Sequence, residues 1–242
     1  MMSAHVAPPS PAGELSDEQH LNDRIEYTMW SVFAHGPNGL SVSRLAAIDE
    51  VEALLEDVRE RDVRIRGLYR LSGMRADADW MIWWHAPTIA ALQDAYEQLR
   101  HTAFGRASTP VWSAAGLHRP AEFSATHIPA YLRGLEPARY VTVYPFVRST
   151  EWYLLPESER RQMLIDHGAA AHDYPDVLSN TVASFGLGDY EWLLALEADD
   201  LGRLVDLMRT FRYTDARRHV REETPFFTGE RVSVGALVTA AP

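Results

Sequence analysis

Ten histidines and no cysteine set the chemistry open to this chain. Without thiols there is no disulfide, thiolate zinc site, iron–sulfur cluster or cysteine nucleophile, so any metal must be held by His or carboxylate. No Gly-rich phosphate loop, Walker motif or G-x-S-x-G elbow occurs, and no histidine pair has H-E-x-x-H spacing. His167 differs from the other histidines. It follows Leu164 and Met163 by three and four residues and so shares their helical face. The Gly168-Ala169-Ala170-Ala171 run after it leaves room for something flat and large beside the helix. On these residues alone the plainer description, a core histidine on an alanine-rich helix, is favoured.

Tyr140, Tyr144 and Arg148 alternate along one side of a strand-like run, with Pro145 suggesting an edge or a bulge. The plain alternative is an aromatic pair in the core beside a solvated arginine. His118 and His127 precede that run in a loop containing Pro120 and Pro129, where a histidine is by default a solvated side chain.

The elements that must position these residues come in a repeated order. Apolar and β-branched runs predict strands at 24–34, 63–72, 80–85 and 111–118, with helices at 43–62 and from Pro87 to 99. The second half predicts strands at 139–147, 178–185, 190–196 and 225–234, with helices at 156–172 and 199–211. Asp77-Ala78-Asp79-Trp80 and Asp189-Tyr190-Glu191-Trp192 stand at the same place in each series, which points to duplication. Each half then reads β-α-β-β-α-β, a ferredoxin-like unit, and the chain reads as an α+β fold of two such units forming a dimeric α+β barrel-type fold. The expected division is a loose tail over 1–22, an N-terminal unit over 23–119 and a C-terminal unit over 120–242.

Composition narrows the partners. With 23 basic and 34 acidic side chains, a net charge of −11 argues against wrapping nucleic acid or lying on an anionic membrane. The first 22 residues carry no Lys or Arg and no apolar run, and the longest apolar-rich stretch, 81–92, is too short to span a bilayer. A cytoplasmic location is the expectation.

The stretches YPFVRSTEWYLLPESERRQMLIDHGAAAHDYPDV, NTVASFGLGDYEWLLALEADDLGRLVDLMRTFR and DARRHVREETPFFTG, spread over roughly 112–229, together resemble the coproheme decarboxylases of the chlorite dismutase superfamily, in the actinobacterial style. The N-terminal half fits by architecture. The resemblance implies that His167 is the proximal ligand of a porphyrin iron, Tyr144 a redox-active tyrosine beside a propionate, and His127 a distal base. It further implies propionate contacts from Arg148 and from Arg217 or Arg218, and a pocket-lining Trp152. The implied reaction is oxidative decarboxylation of two propionates of coproheme by hydrogen peroxide, giving haem b. Coproheme serves there as both substrate and redox centre. A homopentamer and transient contact with coproporphyrin ferrochelatase are also implied. Chlorite-degrading relatives carry a distal arginine on the strand matching 177–186; this stretch has none, so chlorite turnover is not expected. Two other readings stay open, a non-catalytic haem or porphyrin carrier and a peroxidase or monooxygenase of the same barrel fold.

Overall fold

The computed structural model describes residues 17–123 and 128–241. In chain order these form α1 (Asp17–Asp23), β1 (Tyr27–His35), α2 (Arg44–Glu60), β2 (Arg64–Arg70), β3 (Trp80–Ala86), α3 (Ile89–His101), α4 (Ala103–Arg106) and β4 (Ser108–Leu117). The second half gives β5 (Tyr140–Arg148), α5 (Glu157–Ala170), β6 (Leu178–Ala183), β7 (Trp192–Ala198), α6 (Leu201–Phe211), β8 (Val220–Glu222), β9 (Phe227–Val232) and α7 (Val234–Ala240). The expected loose tail is thus helical from Asp17, and a C-terminal helix follows the last strand. Neither was foreseen.

Each half lays its strands in the same order. The first runs β4-β1-β3-β2 and the second β9-β5-β7-β6, both antiparallel, which is the ferredoxin-like arrangement. The halves meet at two seams, β2 with β9 and β4 with β6, and because β5 pairs with both β9 and β7 the strands close into a ring. At the second seam Gly116 is required, since a Cβ there would sit 2.3 Å from Val182 Cγ2. The matched tetrads do matched work. Asp79 Oδ2 accepts the backbone N–H of His35 at 2.7 Å, and Glu191 Oε2 accepts that of Arg148 at 2.8 Å, each tying the end of its unit's first strand.

Closure explains the continuous apolar runs of the first half, such as β3, because both faces of those strands are covered. Trp30, Tyr69, Met81, Trp83, Val141, Val143 and Leu193 fill the ring interior. Outside the first half, α2, α3 and α7 bury Met29, Phe33, Trp80, Ile82 and Trp84. Inside the ring Arg66 pairs with the fully buried Glu197 at 2.8 Å, and Asn180 Nδ2 donates to the same carboxylate oxygen. Asn180 Oδ1 accepts the N–H of Tyr131, and Arg66 also donates to Leu135 O, so this network pins the linker between the halves. Pro145 lies on a strand paired on both sides rather than at an edge. It falls in the gap where β5 leaves β9 after Val143 and meets β8 from Val147, with β7 opposite.

Candidate functional site

The outer face of the second sheet carries Tyr144, Phe146 and Arg148 on β5 and Leu194 on β7. With His167 of α5, Phe211 of α6 and the segment from Arg212 to Glu223, they enclose a cavity of about 60 Å³. A cleft of about 680 Å³ between α2, β2 and β9 is larger, but neither an imidazole nor a phenol lines it. Chemistry, not size, selects the first.

His167 stands in the last turn of α5, a helix started by Pro156 with Glu157 and Glu159 in its first turn, where their charge suits the helix dipole. Its ring stacks on Phe211, with centroids 4.0 Å apart. Nδ1 lies 3.3 Å from Thr214 Oγ1, whose single proton is already donated to Phe211 O at 3.0 Å. Thr214 therefore accepts from Nδ1–H, so Nε2 is the ring nitrogen that a metal would bind.

Tyr144 is buried and stacks on Phe226 at 4.6 Å. Arg75, from the first half, reaches across to donate to Phe226 O at 3.2 Å while lying over the Phe227 ring. Burial first, then the charge of Glu223, pushes the Tyr144 phenol well above its ordinary range, with Arg212 and Arg217 opposing. Losing a proton alone is thus disfavoured.

Arg148 lies over Trp152 at 4.1 Å and over Phe146 at 4.9 Å, and among the described residues its guanidinium donates only a long 3.4 Å bond to Ala216 O. Burial brings its pKa down to about 10, against the opposing pull of Tyr153 and Glu191. A desolvated guanidinium with no carboxylate bound to it is a receptor for an anion. Trp152 does not line the cavity. It is buried behind Arg148 and holds that guanidinium in place. Arg217 lines the cavity and pairs with Glu223 at 2.7 Å. Arg218 is exposed outside it and pairs with Asp215. His127 lies outside the described residues.

Do these residues fit an iron porphyrin with carboxylate arms? Among the described residues no cluster of three or more His, Cys, Asp or Glu could hold a metal, so an ion here would need most of its ligands from a macrocycle. Arg148, Arg212 and Arg217 offer carboxylate partners on the same cavity. The 60 Å³ void is far below the ~300 Å³ or more of a typical ligand site. Yet α5 buries none of its residues, a Cβ on Gly168 would meet nothing within 4 Å, and Phe146, Trp192 and Ala183 on the facing sheet are only half-buried. The donor set fits, and the room lies where α5 fails to pack on the sheet.

A family model described as chlorite dismutase matches residues 44–232. The chain belongs to the chlorite dismutase family. Among curated relatives, the coproheme decarboxylase of Mycolicibacterium smegmatis (strain ATCC 700084 / mc(2)155) is 57% identical over 227 residues, 93% of this chain and 98% of that one. The solved chlorite dismutase of Candidatus Nitrospira defluvii in complex with imidazole superposes with a TM-score of 0.80 at 22% identity, covering 93% of this chain and 98% of that one. A doubly substituted variant of that enzyme gives 0.80 at 22%, over 90% and 96%. At that identity the structural likeness speaks for the fold alone.

Within this family frame, Thr214, Phe226, Arg212 and Glu223 were missed by sequence reasoning. They lie on the segment after α6, whose return against β5 brings Phe226, Arg212 and Glu223 to Tyr144 and sets Thr214 beside His167. The acidic-x-acidic-Trp repeat was the one signal that could have flagged Glu191.

Proposed function

We propose that this chain is a coproheme decarboxylase, converting iron coproporphyrin III to haem b with hydrogen peroxide. The observation that carries the reading is the convergence, on one cavity, of a histidine with its tautomer set, a buried phenol and three guanidinium groups. The identity to the mycobacterial coproheme decarboxylase supports it.

In this reading His167 Nε2 holds the substrate's iron, and Thr214 fixes the ring from behind. When the substrate is bound, its iron and hydrogen peroxide supply the oxidising power. Arg148 and Arg217 anchor propionates and so bring one propionate β-carbon to Tyr144. Because burial disfavours its phenolate, Tyr144 gives up electron and proton together, then takes a hydrogen atom from that β-carbon. Loss of the second electron lets the carboxylate leave as carbon dioxide. Each event consumes one propionate, one hydrogen peroxide and one proton, and yields one vinyl group, carbon dioxide and two waters. His127 is the base that takes the peroxide proton. In this reading the N-terminal unit holds no cofactor. A homopentamer and transient contact with coproporphyrin ferrochelatase belong to the same reading.

The test is a titration of iron coproporphyrin with small equivalents of hydrogen peroxide, following porphyrin mass. Two successive losses of carbon dioxide plus two hydrogens are expected. Binding with unchanged mass would point to a carrier, and absence of binding would overturn the assignment.

A further inference from the structure

Among the described residues, Glu223 is the one carboxylate lining a cavity whose other charged walls are arginines. Its side chain is 14% exposed; Oε2 lies 2.8 Å from Arg212 and 2.7 Å from Arg217, and Oε1 accepts a second bond from Arg212 at 3.2 Å. Two guanidiniums are thus closed around one carboxylate, while Arg148 on the opposite wall has none. The first arrangement is a carboxylate receptor with a carboxylate already in it. Adding a substrate carboxylate without moving Glu223 would set two like charges within a few ångströms, which is disfavoured even though each arginine side chain is 37% exposed.

We propose that Glu223 is an internal placeholder: in the ligand-free chain its carboxylate occupies, on Arg212 and Arg217, the place that a substrate propionate takes, and binding displaces it. This rests on the function proposed above. Glu223 keeps the arginines aligned and compensated while the site is empty. It also sets a threshold, since only a ligand bringing its own carboxylate repays the exchange. Once that carboxylate has left as carbon dioxide, a vinyl group cannot compete, and Glu223 retakes the arginines.

The measurement is the affinity for iron coproporphyrin by absorbance titration, in the absence of peroxide, for the full chain and for E223Q and E223A. Both substitutions should tighten binding about ten-fold, the size of one charge-assisted contact no longer contested. E222Q, which removes an exposed neighbouring carboxylate, should change it by less than about two-fold, as a screened charge does. In a chain already carrying R212Q and R217Q, E223Q should bring no gain. Unchanged or weaker binding by both Glu223 variants would overturn the proposal, as would a full gain persisting without the arginines. If one variant folds poorly by circular dichroism, the other decides. Failure of the unsubstituted chain to bind iron coproporphyrin would instead remove the proposed function.

Discussion

Helices α2 and α5 occupy the same place in two copies of one fold, and they behave differently. α2 buries Ala47, Val51, Leu55 and Val58 against its sheet; α5 buries nothing. The tryptophans that open the third strand of each unit diverge likewise. Trp80 is fully buried, stacked on Phe33 and donating to Ser108 Oγ, whereas Trp192 is half-buried and donates to Tyr153. The frame is constant down to the carboxylate that ties the end of the first strand, so the difference is not one of topology. In the proposed function the second unit gains its binding site by withholding the packing of α5, while α6 still buries Leu204 and Leu207 against the same sheet.

That contrast can be broken most directly at its chemical centre. Tyr144→Phe should still bind iron coproporphyrin but lose decarboxylation by about 1,000-fold or more, read as porphyrin mass after peroxide. Full turnover in this variant would return Tyr144 to the role its packing alone suggests. The packing difference is tested by paired truncations. Leu55→Ala in α2 should cost about 2–5 kcal/mol in denaturant unfolding, whereas Ile165→Ala in α5, where Ile165 is 55% exposed, should stay within about 0.5 kcal/mol without ligand. Equal losses would mean that α5 carries a core after all.

Thr214→Val removes the acceptor for His167 Nδ1–H and should weaken axial ligation about 10-fold, seen in a Soret titration. An unchanged spectrum and affinity would show that the ring is fixed by Phe211 alone. The smallest expected effect is in pH. The Arg148 cation is held at about 10, below the ordinary arginine range, by burial. Burying it therefore costs the ligand-free chain stability at every pH below about 10, and the cost is relieved as pH rises from there toward the unfolded value. Affinity for iron coproporphyrin should fall by about ten-fold between pH 9 and 11, and Arg148→Gln should abolish that step. A flat profile would separate Arg148 from propionate binding.

Much of this was legible in the sequence. Alternation and helical spacing located the strands and most helices, and the Asp79/Glu191 repeat disclosed the duplication because both residues do the same local job. Helices α1 and α7 escaped because each is only 7 residues long, too short for the helical recurrence of Val234, Leu237 and Val238 in α7 to stand out. In the site, His167, Tyr144 and Arg148 carried the family resemblance, though spacing alone favoured a core histidine. That description failed for a physical reason: Met163 and Leu164, which made the face look internal, are only half-buried. Spacing reports which residues share a face, not whether a partner covers it. Glu223 and Thr214 depend on how the segment after α6 folds back, and no local pattern encodes that. Arg217 and Arg218 are adjacent and chemically identical in the sequence, and only the turn they stand on sends one to the cavity.

The unpacked face of α5 also bears on how long the chain survives. A ligand present at 100 times its dissociation constant adds about 2.7 kcal/mol to the folded state, comparable to a buried leucine. Here that increment would fall on α5, a helix that buries none of its residues. Where proteases sample local opening, a chain without substrate would be cut at α5, and a chain with it would persist. Abundance would then follow supply, with no regulator other than the missing half of a core.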